Sequence, residues 1–191
     1  MQGKIESLIR ASIDVKEKLL KDEAMLQQID TVVDLITNAF RSGKRLYFCG
    51  NGGSAADAQH LAAEFSGRFY MNRKALPAEA LHCNTSYLTA VANDYSFDVI
   101  YERMVDGIME KGDVLVGLST SGNSPNIVLA FEAAARKGVH TIGFTGSSGG
   151  KLKNSSNYLF NVPSDTTPRI QESHILIGHI ICQLVEEKYF Q

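Results

Sequence analysis

Apolar residues return every three or four positions through the first forty residues: Ile5, Leu8, Ile9, Val15 and Leu19, then Met25, Ile29, Val32, Val33, Ile36 and Phe40. This spacing predicts two amphipathic helices over residues 3–42, separated near Lys21-Asp22. After Gly43 the rhythm changes to short apolar runs of strand length, at 45–49, 78–81, 114–118, 141–144 and 158–162. Helical spacing fills the intervals at 55–66, 86–92, 97–109 and 126–137, and a last helix is predicted over 169–188. Strands that alternate with helices predict an α/β protein with a parallel, doubly wound sheet. No repeat, low-complexity tract or proline-rich linker interrupts the order, so a single domain over 1–191 is expected, with a helical hairpin (1–42) leading into an α/β core (43–191).

The last helix differs from the others. Ile170, Ile175, Leu176, Ile177, Ile180 and Ile181 leave it apolar nearly all round, which predicts burial, and Gln171, Glu172, His174 and His179 then need partners.

Composition narrows the function classes. A chain of 191 residues that is 44% hydrophobic can bury one good core. Its net charge of -2, with Lys and Arg scattered, leaves no basic face for nucleic acid or an anionic membrane. Charged residues interrupt the N-terminal stretch, and no later run reaches membrane-spanning length, so a soluble cytoplasmic protein is expected. Cys49, Cys83 and Cys182 are widely spaced among apolar neighbours and read as buried, reduced thiols.

In an open α/β sheet, ligands gather beyond the carboxyl ends of the strands, which directs attention to three strand-to-helix loops. Gly50-Asn51-Gly52-Gly53-Ser54 follows the first strand and opens a helix, so its backbone N–H groups and the helix dipole suit a phosphate. It is neither a dinucleotide fingerprint nor a Walker A loop, and a ligand-free tight turn stays open as an alternative. Ser119-Thr120-Ser121-Gly122-Asn123-Ser124 is rich in hydroxyls at another helix start, a neutral nest for a phosphate monoester; ordinary N-capping is the simpler alternative. The third loop, residues 145–150, has no titratable neighbour and reads as a plain turn. Asn93-Asp94 either binds sugar hydroxyls or closes a turn.

His60 and Glu64 stand one helical turn apart just after the glycine loop. A surface ion pair is the commoner fate of such a pair, but small apolar neighbours surround this one. Together with Gln171 and His179 it offers a zinc-type donor set, weakened by the glutamine, and a satisfied core histidine is the alternative for each histidine.

With these motifs assembled, the chain resembles the sugar isomerase (SIS) domain family and, within it, the phosphoheptose isomerases, over essentially its whole length. The motifs that carry the resemblance are Cys-Gly-Asn-Gly-Gly-Ser at 49–54, Asn93-Asp94, Ser-Thr-Ser-Gly-Asn-Ser at 119–124 and Arg-Ile-Gln-Glu at 169–172. The resemblance implies a three-layer sandwich around a five-stranded parallel sheet and a homotetramer with active sites at subunit contacts. It implies interconversion of sedoheptulose 7-phosphate and D-glycero-D-manno-heptose 7-phosphate through an enediol, for bacterial surface polysaccharide. The implied substrate-binding residues are Asn51, Gly52, Gly53, Glu64, Asn93, Asp94, Ser119, Thr120, Ser121, Ser124 and Gln171. The implied ligands of one zinc per subunit are His60, Glu64, Gln171 and His179, with Glu64 and His179 as the acid/base pair. Pro168 stands where some relatives carry an acidic residue.

A catalytically silent SIS adaptor that binds the replication initiator is the rival from another class, and it would not need the His60, Glu64, Gln171, His179 set. A sugar-phosphate-sensing regulator would add a DNA-binding domain, for which there is no room. Eight positions separate Gln171 from His179, which is ~12 Å along a straight helix, too far for one metal ion. One ligand is therefore expected from a neighbouring subunit, with Glu64 and His179 meeting across that contact; His174 is the same-chain alternative to His179.

Overall fold

The computed structural model describes residues 1–191. A helical hairpin, α1 (Gln2–Leu20) and α2 (Glu23–Arg41), precedes β1 (Leu46–Gly50), α3 (Gly53–Ser66), β2 (Ala78–Ala80) and α4 (Thr85–Asp94). A single 3₁₀ turn, Phe97–Val99, leads into α5 (Ile100–Ile108), where one continuous helix was expected. Then come β3 (Val114–Leu118), α6 (Pro125–Lys137), β4 (His140–Thr145), a 3₁₀ turn at Gly150–Asn154, β5 (Tyr158–Asn161) and α7 (Thr167–Phe190). The hairpin breaks where the sequence predicts. Asp22 caps α2 by accepting the Met25 N–H at 3.0 Å.

All strand pairs are parallel, in the order β2-β1-β3-β4-β5. Side chains alternate across the sheet. Leu46, Phe48, Val116 and Phe144 enter one core with Val32 and Ile36 of α2, Leu61 and Phe65 of α3, and Ile177 and Ile181 of α7. Tyr47, Cys49 and Leu115 enter a second core with Tyr101 and Val105 of α5 and Ile127 and Phe131 of α6. Covered on both faces, β1 and β3 are buried throughout, which is why the sequence shows them as unbroken apolar runs.

The chain passes from β1 to β2 on one side and later returns to β3 on the other side of β1. Connections therefore diverge between β1 and β3 and leave a crevice beyond their carboxyl ends. The glycine loop leaves β1 and the hydroxyl loop leaves β3, so both border this crevice. On the face that holds the hairpin, α3 and α7 lie in close contact: a Cβ added at Gly178 would fall 2.6 Å from the Leu61 side chain. Only glycine permits that approach.

Two expectations need correction. Cys49 and Cys182 are buried, but Cys83 is exposed on the segment after β2. Helix α7 buries one side, with Ile170, Ile177 and Ile181 in the core, while Leu176 and Ile180 are exposed on the other. Leu8, Ile9 and Ile13 of α1 are likewise about half exposed.

Candidate active site

The seam between α3 and α7 gathers the titratable residues. His60 Nε2 lies 2.9 Å from His179 Nε2 and 3.3 Å from Glu64 Oε1. Donor atoms of His60, Glu64 and His179 all fall within 4.8 Å of one another, in a single chain. Helical spacing explains the first pair, since residues four apart on α3 share a face. The close packing of α3 on α7 brings the third. His60 keeps a half-exposed side chain, whereas Glu64 is only 23% exposed, so the cluster is open on the His60 side.

Its electrostatics favour a neutral imidazole at His179. Burial pushes its pKa below the usual range and nearby His60 adds to this, against the opposing pull of Glu64 and Asp57. Asp57 is a further member that the sequence reading overlooks. Burial raises its carboxyl pKa, while His60 and His179 act the other way. The signal was available, because Asp57 is one turn before His60 and seven residues before Glu64 on the same helical stripe.

Gln171 is elsewhere in this chain. Its amide nitrogen sits 2.8 Å from where a Cβ on Gly53 would be, at the first residue of α3. His60 is seven residues further on, ~10 Å along the axis. The spacing argument thus holds for Gln171, but Glu64 and His179 meet within one chain and not across a contact. His174 is a buried core residue and joins no cluster. Its Nε2 contacts the Thr145 carbonyl at 3.1 Å, and burial pushes its pKa down to about 4.

The two donor loops meet through a reciprocal amide pair. Asn51 Nδ2 donates to Asn126 Oδ1 and Asn126 Nδ2 donates to Asn51 Oδ1, both at 2.9 Å. Asn126, on the first turn of α6, is 1% exposed and is a second residue the sequence reading missed. The Gly52 and Gly53 amides donate to no other backbone group, so the start of α3 keeps free donors. Ser124 occupies the N-cap of α6 without capping it. Its hydroxyl meets that of Ser119 at 2.9 Å. The capping alternative is therefore not realised, and the Ser121 hydroxyl instead accepts the Asn123 N–H at 3.2 Å.

The third loop is more than a plain turn. The Gly146 N–H donates to the Thr120 carbonyl at 2.9 Å, and the Lys151 N–H to Asn123 Oδ1 at 3.0 Å. Gly122, at φ 66, packs so tightly on Gly149 that an added Cβ would lie 2.2 Å from its carbonyl oxygen. This loop buttresses the hydroxyl loop and shares with Thr120 and Ser121 a cleft also lined by Ser147, Ser164 and Asp165. Asn93 and Asp94 end α4, where they are exposed and bonded to each other at 2.9 Å.

The chain that carries this cluster matches known proteins in sequence and in fold. The SIS domain family model matches residues 9–146. The phosphoheptose isomerase of Clostridium acetobutylicum is 53% identical over 190 residues, covering 100% of this chain and 97% of its own. The chain belongs to the phosphoheptose isomerase family. The family's member from Aneurinibacillus thermoaerophilus is 48% identical over 191 residues, covering 100% of this chain and 96% of its own. Solved phosphoheptose isomerases share the fold throughout. That of Francisella tularensis superposes with a TM-score of 0.92 at 34% identity, and that of Neisseria gonorrhoeae with 0.91 at 39%. Each comparison covers 97% of this chain and 98% of the other. The five-stranded parallel sheet and the N-terminal helices are thus those of the SIS fold. No helix is long and apolar enough to cross a membrane.

Proposed function

We propose that this chain is a phosphoheptose isomerase that interconverts D-sedoheptulose 7-phosphate and D-glycero-D-manno-heptose 7-phosphate, supplying heptose for surface polysaccharide. The observation that carries the reading is the His60–Glu64–His179 cluster, assembled within one chain near two neutral donor loops. A silent adaptor that binds a replication initiator has no use for such a cluster.

The chemistry needs a base at the carbon beside the carbonyl and a relay for protons on oxygen. Glu64 serves as the base, removing the proton to give an enediol. His179, held neutral by burial, accepts and returns protons between the two oxygens. The Ser119, Thr120, Ser121 and Ser124 loop takes the phosphate, and the free amides of Gly52 and Gly53 contribute further donors. Phosphate held there is a remote handle that orients the reacting end. Asn51 lines the same crevice, while Asn93 and Asp94 bind sugar hydroxyls from the surface they occupy.

His60, Glu64 and His179 would hold a zinc ion, since two imidazoles and a carboxylate converge. When bound, zinc would polarise the carbonyl and steady the enediolate, and as its ligands Glu64 and His179 would keep their proton-transfer roles with lowered basicity. Gln171 joins this set from a neighbouring subunit. The exposed Leu8, Ile9 and Ile13 of α1 and Leu176 and Ile180 of α7 support a homotetramer, since apolar surface of this kind is normally covered. Leu176 and Ile180 also flank His179, so the covering chain would approach the cluster.

The test is conversion of D-sedoheptulose 7-phosphate to the aldose, with and without a chelator. Turnover that falls on chelation and returns with zinc supports both the activity and the metal. No turnover by the zinc-loaded protein would overturn the reading.

A further inference from the structure

One buried ion pair lies at the far end of the same seam. Arg73, in the segment between α3 and β2, pairs with Glu186 of α7 at 2.6 Å, and their side chains are 3% and 2% exposed. Neither has a spare polar atom. Glu186 Oε1 accepts the Tyr70 and Met71 N–H groups at 2.7 and 2.8 Å, and Oε2 accepts Phe69 N–H and Arg73 Nε at 3.0 and 2.6 Å. Arg73 Nη2 donates to the Glu64 carbonyl at 2.8 Å, and Nη1 to the carbonyls of Phe65 at 2.8 Å, Lys74 at 3.0 Å and Gly67 at 3.3 Å. The guanidinium thus satisfies the Glu64 carbonyl, which the end of α3 leaves without a backbone partner, and adds a second bond to the Phe65 carbonyl, which also accepts the Leu76 N–H at 3.1 Å. The Phe190 ring covers it, 5.5 Å from Cζ.

Both partners are tied to the acid/base residues. Arg73 bonds the backbone of Glu64 itself. Glu186 follows His179 by seven residues, two helical turns along the same side of α7. The segment they hold places the Phe69 ring 5.8 Å from that of His179.

We propose that the Arg73–Glu186 pair is a positioning device for the reaction: it locks the carboxyl end of α3 to α7 and so fixes the spacing between Glu64 and His179, with Phe69 bracing the imidazole. Stability alone would be a weak reason for such a pair, because burying two charges is often no better than apolar packing. Its geometry has a different use. A forked guanidinium grips several carbonyls and a carboxylate at once, which an apolar pair cannot do. This inference rests on Glu64 and His179 being the acid/base residues.

Arg73→Lys keeps the charge and loses the fork. Measured per folded protein, its kcat should fall by about 10- to 100-fold with KM within about twofold, the cost expected of a small misplacement in a proton transfer. The isotope effect on kcat, with substrate deuterated at the carbon Glu64 deprotonates, should rise, because proton transfer becomes more rate-limiting. A mere loss of folded molecules would lower kcat and leave the isotope effect unchanged. Phe69→Ala, which leaves the pair intact, should show the same pattern more weakly and serves if Arg73→Lys does not fold. Wild-type kcat and isotope effect in a folded Arg73→Lys protein, or in Phe69→Ala where that is the one that folds, would overturn the inference. Wild-type protein without isomerase activity would instead overturn the assignment on which it rests.

Discussion

The crevice between β1 and β3 and the seam between α3 and α7 lie about two helical turns apart on one helix, yet they are built from opposite materials. The crevice has backbone amides, hydroxyls and the Asn51–Asn126 amide pair, all neutral. The seam has His60, Glu64, His179 and Asp57, all titratable, and at its end the buried Arg73–Glu186 pair. Neutral donors hold a phosphate without depending on pH and without competing for protons. Titratable groups move protons but gain their useful protonation states from burial and from one another. The proposed function divides recognition from chemistry between these two regions, and α3, which starts at the glycine loop and carries His60 and Glu64, links them.

The sharpest way to break this division is to damage one side and watch the other. Glu64→Gln keeps the side chain's size and removes its basicity, so kcat should fall at least ~10²-fold while KM changes little. Near-wild-type turnover in steady-state kinetics would move the base elsewhere. On the neutral side, a combined Ser119→Ala, Ser121→Ala, Ser124→Ala variant loses three hydroxyl donors. At about 1 kcal/mol each, its affinity for the sugar phosphate by calorimetry should drop by roughly 100-fold. Unchanged affinity would shift the phosphate to Gly52 and Gly53.

Two histidines on α7 sharpen the contrast further. His179 belongs to the seam, while His174 is fully buried against the Thr145 carbonyl with its pKa depressed from 6.5 to about 4. Between those values the unfolded chain binds more protons at this site than the folded one, so stability falls as pH drops from 6.5 toward 4. His174 should cost roughly 3 kcal/mol over that window. Denaturant midpoints against pH will show it, as a dependence that weakens in His174→Asn. Last, Asn126→Ala leaves the Asn51 amide without its partner; it should cost about 1–2 kcal/mol in stability and raise KM a few-fold, with kcat little changed.

Much of this was legible in the sequence because it rests on local periodicity. The hairpin, the five strands and the helix carrying His60 and Glu64 follow from spacing alone, and the unbroken apolar runs of β1 and β3 report burial on both faces. The loops were legible as glycine and hydroxyl clusters after strands. What local pattern could not show was contact between distant segments. The third loop looked like a turn because its role is to pack on Gly122, and the Asn51–Asn126 pair joins residues 75 apart. Helix α7 looked fully buried because its composition is apolar all round, whereas Leu176 and Ile180 face outward beside His179. Arg73 and Glu186 are 113 residues apart and give no sign of pairing until α3 and α7 are side by side.

Whether base and imidazole act within one chain, with Gln171 arriving from a neighbour, is tested most directly by mixing inactive variants. Glu64→Gln chains would be exchanged with His179→Gln chains, and separately with Gln171→Ala chains, with subunit exchange verified by native mass spectrometry. Glu64 and His179 share a chain, so the first mixture should stay inactive. The second should regain activity, because a Glu64→Gln chain can lend its Gln171 to a neighbour with an intact cluster. Recovery in the first mixture, or none in the second despite proven exchange, would contradict that division of labour.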